Sequence, residues 1–164
     1  MTLLLGPPQP LMTTHLLDGF ECGETALDYW LKRRALANQF SGASRTFVVA
    51  GQSGRVVGYY AMAAGAVSHQ LATSAVRRNM PDPVPVMVLA RLAVDQRTQG
   101  MKLGAAMLLD AVKRAVTVSQ NAGVRALLVH ALHERAKQFY EYYGFQASSL
   151  DPMTLMLRLN MVKP

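Results

Sequence analysis

Apolar and polar positions alternate along the chain with changing periods, and those periods predict its elements. Residues 11–17, "LMTTHLL", read as a short first strand, and Asp18 to Gly23 as a turn. In residues 24–40 Leu27, Leu31 and Ala35 recur every fourth position with Trp30 beside them, which predicts one helix ending near Gly42. "RTFVVA" and "RVVGYYAMAAGAV" flank "GQSG" and predict a hairpin. "TSAVRRNM" predicts a short helix stopped by "MPDPVP", and "VMVLARLAV" a buried strand. A long helix follows over "KLGAAMLLDAVKRAVTVSQNAG", with Gly123 as its cap. Strand "VRALLVHA", helix "ERAKQFYEYYG" and strand "MTLMLRLN" complete the order β-α-β-β-α-β-α-β-α-β. That order predicts a single α/β domain over residues 1–164 with a mixed sheet.

Size and composition narrow the setting. A chain of 164 residues buries about two thirds of its unfolded surface, enough for a core without staples. Cys22 is the single cysteine, so no intramolecular disulfide forms, and no Cys/His spacing resembles a zinc site. These features point to a reducing, cytoplasmic compartment. "MTLLLGPPQP" lacks a basic n-region and is proline-rich, unlike a secretory signal. No run approaches the ~18 apolar residues of a membrane span. Seventeen Lys and Arg against ten Asp and Glu give a net charge of +7; a basic surface concentrates polyanions such as nucleic acid.

"QGMKLG", residues 99–104, stands where the buried strand meets the long helix. A glycine-bearing turn at a helix N-terminus presents unpaired amides and the positive end of the dipole, an anion site. On residues alone, an ordinary strand-to-helix turn fits equally well. No G-x-G-x-x-G or GKS/T follows the strand, so neither a dinucleotide fingerprint nor a Walker loop is present.

"RLAVDQRTQGMKLGAAML" resembles motif A of the GNAT superfamily of N-acetyltransferases, with core [Q/R]-x-x-G-x-[G/A]. Gln99 takes its first place and Gly104 its last, while Lys102 stands where the pattern has glycine. The resemblance implies a GNAT fold: a central mixed, mostly antiparallel twisted sheet of about six or seven strands, flanked by about four helices. It also implies that Gln99, Gly100, Met101, Lys102, Leu103 and Gly104 hold the pyrophosphate of acetyl-CoA. Leu92, Ala93 and Val94 would bind the pantetheine arm and aim a backbone amide at the thioester. Lys102 costs about 1–2 kcal/mol if the turn needs positive φ there, and nothing if the residue is already helical. Either way binding is expected to survive, with the ammonium placed to meet a phosphate.

"ERAKQFYEYYGF" is similar to the GNAT segment A-x-x-F-Y-x-x-x-G-F, which Ala136, Phe139, Tyr140, Gly144 and Phe145 fit without gaps. The resemblance assigns Tyr140 to protonating the departing coenzyme A thiolate, beside Phe139 at the cofactor. A phenol near ~10 can supply a proton to a thiolate whose conjugate acid lies near ~8.5. The bland alternative is that Tyr140 packs with Phe139. Tyr142 and Tyr143 fall outside the motif and are assigned to packing or a dimer surface.

From about Leu11 to Leu159 the chain resembles one GNAT branch, the toxins of toxin–antitoxin modules that acetylate aminoacyl-tRNA. "FECGETALDYWLKRRALANQ" carries that branch's F-[DE]-C-G-x-x-x-L-[DN]-x-[WFY]-L hallmark, and "GASRTFVV", "RVVGYYAMA", "VRRNMPDPVPVMVLARLAVD" and "DPMTLMLRL" match in order. The resemblance implies acetyl transfer from acetyl-CoA, without a metal, to the α-amine of aminoacyl-tRNA. It further implies a homodimer, a ribbon-helix-helix antitoxin, and operator DNA reached only through the antitoxin complex. Arg77, Arg78 and Arg91 match positions the branch uses for tRNA, with Lys32 and Arg33 beside them. Three consecutive helical residues, Lys32 to Arg34, span about 200° and cannot share a face. Cys22 reads as a small buried residue, Trp30 as a packing anchor and His130 as structural, while His133 either caps a helix or lies near the acceptor. The rivals are a GNAT acting on a small amine or protein lysine, and a degenerate coenzyme-binding regulator.

Overall fold

The computed structural model describes residues 5–159. The elements are β1 (Gln9–Pro10), α1 (Thr25–Arg33), α2 (Ala35–Ser41), β2 (Arg45–Ala50), β3 (Val56–Val67), α3 (Ser74–Arg77), β4 (Val84–Val94), a 3-10 turn (Gln96–Thr98), α4 (Leu103–Asn121), β5 (Ala126–His130), α5 (Glu134–Tyr142), β6 (Gln146–Ala147) and β7 (Thr154–Arg158). Among the described residues seven strands form one sheet, in the order β1-β2-β3-β4-β5-β7-β6. The β4–β5 pair is parallel, whereas β1–β2, β2–β3, β5–β7 and β6–β7 are antiparallel. The mixed, mostly antiparallel α/β sheet is therefore present, with five helices among the described residues where about four are expected.

The fifth helix arises from a break. Arg34, at φ −123° and ψ −29°, ends α1 and begins α2, so the 24–40 pattern is two helices. Trp30 and Leu31 on one side of the joint and Ala35 on the other are all buried, so the apolar period continues through it. Lys32 and Arg33 close α1, and Arg34 is the joint itself.

Residues 11–17 do not form a strand. Leu11 is buried, but the Met12 amide donates to His15 Nδ1 at 2.9 Å and the His15 amide returns to the Met12 carbonyl at 3.1 Å, closing a turn. The edge strands β1 and β6 are only two residues each, too short to carry a sequence period. Helix α4 ends at Asn121, whose side-chain amide donates back to Thr117 at 2.9 Å; Gly123 lies beyond and is not left-handed. The last predicted strand is β7, and Asn160 at its predicted end lies outside the described residues, as do residues 1–4 of the N-terminal stretch.

The chain divides into two compact units, Met1–Ala63 with Arg91–Ala111, and Ala64–Ala90 with Val112–Pro164. In the first, Phe20, Trp30, Leu31, Val48 and Tyr59 form the centre of the core, with Trp30 stacked on Tyr59 at 6.0 Å. In the second, Val67, Val76, Val86, Leu128 and Met156 do so. Among the described residues no helix is long and apolar enough to cross a membrane.

Candidate coenzyme turn and candidate catalytic tyrosine

In the first unit, β4 hands the chain to α4 through a turn organised by Asp95. The Asp95 carboxylate is 1% exposed and accepts from the amides of Glu21 at 3.1 Å and Arg97 at 2.9 Å. Arg97 adds Nε at 3.0 Å and an ion pair at 3.0 Å, while its Nη2 also reaches the Gly19 carbonyl at 2.7 Å. Gln99 donates its side-chain amide to the carbonyls of Cys22 at 3.2 Å and Val94 at 3.1 Å, tying the bend to the loop before α1. Sequence reading reached Gln99 through the motif but missed Asp95, whose partner Glu21 lies 74 residues away.

Beyond Gln99 the bend is open. Gly100 is left-handed at φ +85°, and a Cβ built on it would meet nothing within 4 Å. Met101 is 50% exposed and Lys102 is exposed. Lys102 is itself left-handed, at φ +60°, so of the two alternatives the strained one holds. Its carbonyl accepts from the Ala106 amide at 3.1 Å and so starts α4. By helix geometry the amides of Leu103, Gly104 and Ala105 then have no intrahelical partner. Leu103, Met107, Leu108 and Ala111 are buried and anchor this end of the helix. The arrangement sets these donors at the positive end of a nineteen-residue helix, next to the exposed Gly100, Met101 and Lys102.

The strand leading into the bend places Ala93 in the core and leaves Leu92 and Val94 half-buried. The β4–β5 ladder runs from Val86↔Ala126 to Leu89↔Val129, whereas β4 continues to Val94. Arg91 lies over the Trp30 ring, 4.2 Å from its centroid, a cation–π contact that leaves the guanidinium edge available to further acceptors. Lys32 and Arg33 line a cleft of about 470 Å³ together with Glu21 and Asp28, so their surroundings are of mixed charge. Cys22 is half-buried, and burial together with Asp28 pushes its thiol up to about 12, which removes it as a nucleophile.

In the second unit, Tyr140 is fixed by the way α5 ends. Gly144 is left-handed at φ +96°, the Phe145 amide donates to the Tyr140 carbonyl at 3.1 Å, and the Gly144 amide to Glu141 at 3.0 Å. This pair of bonds is a Schellman motif, and its usual apolar contact is Phe145 on Tyr140, with ring centroids 5.5 Å apart. Phe139 meets Tyr140 edge-on at 5.2 Å. The spacing Phe139–Tyr140–Gly144–Phe145 is thus the signature of a helix end that clamps one tyrosine. Tyr140 is 6% exposed, and burial pushes its phenol up to about 12. Its hydroxyl takes part in no hydrogen bond among the described residues, so it remains a protonated donor at neutral pH. Tyr142 is 81% exposed and Tyr143 43%, as surface positions.

Neighbouring polar groups are occupied. His133 caps α5 by accepting from the Ala136 amide at 3.2 Å. His130 Nδ1 lies 2.9 Å from Thr154 Oγ1, which donates to Asp151 at 2.7 Å, a chain that pins the end of β5 to β7. Arg77 donates Nη1 to the carbonyls of His69 at 3.2 Å and Ala72 at 2.9 Å, while Arg78 is exposed beside it. Among the described residues no group of three or more His, Cys, Asp or Glu is placed to hold a metal ion.

A family model described as an acetyltransferase (GNAT) domain matches residues 16–154. The chain belongs to the GNAT acetyltransferases. This GNAT chain is 49% identical over 150 residues to a tRNA-acetylating toxin of Mycobacterium tuberculosis (strain ATCC 25618 / H37Rv), covering 92% of this chain and 90% of that one. Its fold matches AtaT complexed with acetyl-methionyl-tRNAfMet at a TM-score of 0.87 and 25% identity, covering 94% of each chain. It also matches a mutant AtaT toxin bound to the C-terminus of the antitoxin AtaR and acetyl-CoA, at a TM-score of 0.78 and 25% identity over 94% of this chain and 93% of that one.

Proposed function

We propose that this GNAT enzyme is a toxin that transfers the acetyl group of acetyl-CoA to the α-amine of aminoacyl-tRNA. The observation that carries the reading is near half identity, along almost the whole chain, to a tRNA-acetylating toxin. The match of residues 16–154 to one family model supports treating residues 1–164 as a single acetyltransferase domain.

In the reaction the neutral α-amine attacks the thioester carbonyl, a C–N bond forms and the C–S bond breaks. Peptide α-amines titrate near ~7.7–8, and the ester on the α-carbon lowers this further, so much of the substrate is nucleophilic at neutral pH without a strong protein base. Gly100 to Gly104 receive the diphosphate on the amides at the start of α4, and Lys102 adds a cation there. Leu92, Ala93 and Val94 hold the pantetheine arm and offer an amide to the developing oxyanion. The phenol of Tyr140 gives its proton to the leaving thiolate, and the proton lost by the amine passes through solvent to the phenolate and restores the phenol. The N-acetylated product has no free amine for peptide-bond formation, and elongation stops.

Arg78, Arg91, Lys32 and Arg33 serve the RNA, Arg91 through the guanidinium edge left free above Trp30; Arg77 contributes by holding the chain near Arg78. The toxin acts in the cytoplasm as a homodimer, is neutralised by a ribbon-helix-helix antitoxin, and reaches operator DNA only within that complex. Mass spectrometry of a charged-tRNA pool after incubation with acetyl-CoA tests the reading, with a polyamine panel and a lysine peptide alongside. Acetylated aminoacyl-tRNA is the expected product; acetylation of the polyamines or peptide alone would refute it.

A further inference from the structure

The second unit contains an arginine cluster in which Arg125 and Arg158, which no motif singles out, join Arg77 and Arg78. A cleft of about 540 Å³ is lined by residues of α3 and of the segments on either side of it, of β6 and the loop beyond it, and of β7. Arg77, Arg78 and Arg158 line it together with Ser74, Gln146 and Ser149, and no acidic side chain does. Arg125 lies against the same group: its Nε donates to the Val76 carbonyl at 3.1 Å and its Nη2 to the carbonyls of Ala75 and Arg78, each at 3.1 Å. It thereby holds the C-terminal end of α3, and Arg77 secures that segment through His69 and Ala72. Burial, and after it the positive charges of Arg158 and Arg78, lower the Arg125 guanidinium's affinity for its proton.

Arg77 and Arg125 are committed to backbone carbonyls, so of the arginines lining the cleft the exposed Arg78 and Arg158 are the ones not held in this way. Like charges gathered without a carboxylate repel one another, and an anion between them reverses the sign. The volume suits a nucleotide-sized group. The neutral lining consists of hydroxyls, one carboxamide and small side chains such as Ala72, Ala75 and Ala147, with no large apolar side chain that would seat the anchor of a peptide.

We propose that this cleft holds the phosphate backbone of the RNA substrate, with Arg78 and Arg158 as phosphate ligands, Ser74, Gln146 and Ser149 as neutral donors, and Arg125 as the positioning residue that fixes the Arg78 segment. The inference rests on the tRNA reading above and extends it to the last strand, where Arg158 stands opposite Ala126 of β5.

The test is binding of deacylated tRNA, followed by fluorescence anisotropy across a salt series, for the full-length protein and for Arg78→Gln, Arg158→Gln, the double variant and Arg158→Lys. Each glutamine lowers the slope of log K against log salt by about one and the double variant by about two, while lysine retains the slope because it keeps the charge. At fixed salt each glutamine raises KM for charged tRNA about tenfold and leaves KM for acetyl-CoA unchanged. Thermal midpoints taken in parallel establish that the variants are folded, and Arg78, in an exposed loop, gives an independent reading should Arg158→Gln unfold. Unchanged salt slopes and KM in folded variants overturn the proposal. So does retention of tRNA binding with loss of affinity for an acidic peptide. Wild-type acetylation of charged tRNA distinguishes the two levels: its absence refutes the functional reading, whereas its presence with unchanged slopes refutes only the cleft.

Discussion

Lys102 is the point at which the coenzyme turn departs from its family pattern, and its backbone angle makes the departure measurable. A non-glycine residue at φ +60° carries about 1–2 kcal/mol of steric cost. A cation at the start of a helix adds roughly 0.3–1 kcal/mol at low salt. Glycine removes both, and gives back about 0.4–1 kcal/mol through the freedom it adds to the unfolded chain. Lys102→Gly therefore stabilises the free protein by about 1 kcal/mol, a rise of roughly 2–4 °C in midpoint for a chain of this size. Lys102→Ala removes the charge and keeps the strain. The assay is urea unfolding of wild type and both variants, without ligand, at low and at high salt. At high salt the dipole contribution is screened, so alanine matches wild type and glycine stays ahead. If alanine equals glycine there, backbone strain is not the source and the reasoning fails. Acetyl-CoA titration gives the opposite pattern: both variants bind several-fold more weakly at low salt, because both lose the cation beside the diphosphate, and neither loses binding.

Tyr140→Phe is expected to retain acetyl-CoA binding and cut turnover by about 10²–10⁴, with a change in stability under about 1 kcal/mol since its hydroxyl holds no hydrogen bond among the described residues; full activity in steady-state assays would end its role as acid. The same phenol sets a pH dependence. Its folded pKa of about 12 exceeds the unfolded value near ~10, so its contribution to stability is complete below about pH 10 and is lost as pH rises toward 12. The buried Tyr59, hydrogen-bonded to the Leu27 carbonyl, is raised as well and shares that window; denaturant midpoints against pH should fall less steeply in Tyr140→Phe than in wild type. Asp95→Ala leaves the Glu21 amide unpaired and removes the organiser of the bend, at a cost of about 2–4 kcal/mol in urea unfolding; because Arg97 is 57% exposed at its side chain, the ion pair itself contributes little of this. Thr154→Val breaks the link between His130 and Asp151 and should cost about 1–2 kcal/mol while leaving KM for acetyl-CoA unchanged.

Elements built from local periods were legible. The hairpin around "GQSG", the strand over residues 86–94, the long helix and α5 all follow from spacing within a dozen residues. The segment of the candidate catalytic tyrosine was legible for the same reason, since the bonds that clamp Tyr140 run to Gly144 and Phe145 a few positions on. The break at Arg34 was hidden because the apolar spacing runs through it without change of phase. The two-residue edge strands were hidden because their pairing is supplied by β2 and β7 rather than by any pattern of their own.

The amino-acid order alone determined the family, the order of the main elements, the positions of the candidate coenzyme bend and of Tyr140, and the basic balance that points to a polyanion. Tertiary structure decided the left-handed angle at Lys102, the hold of Asp95 on Glu21, the commitment of Arg77 and Arg125 to backbone carbonyls, and the cleft that Arg78 and Arg158 line together. The division has a physical cause. Helix periods, caps and turn glycines are satisfied by neighbours within one or two turns, so they leave a trace in sequence. Charge pairing, orphan carbonyls and shared clefts are satisfied through space by residues far apart in the chain, and only the folded backbone brings those together.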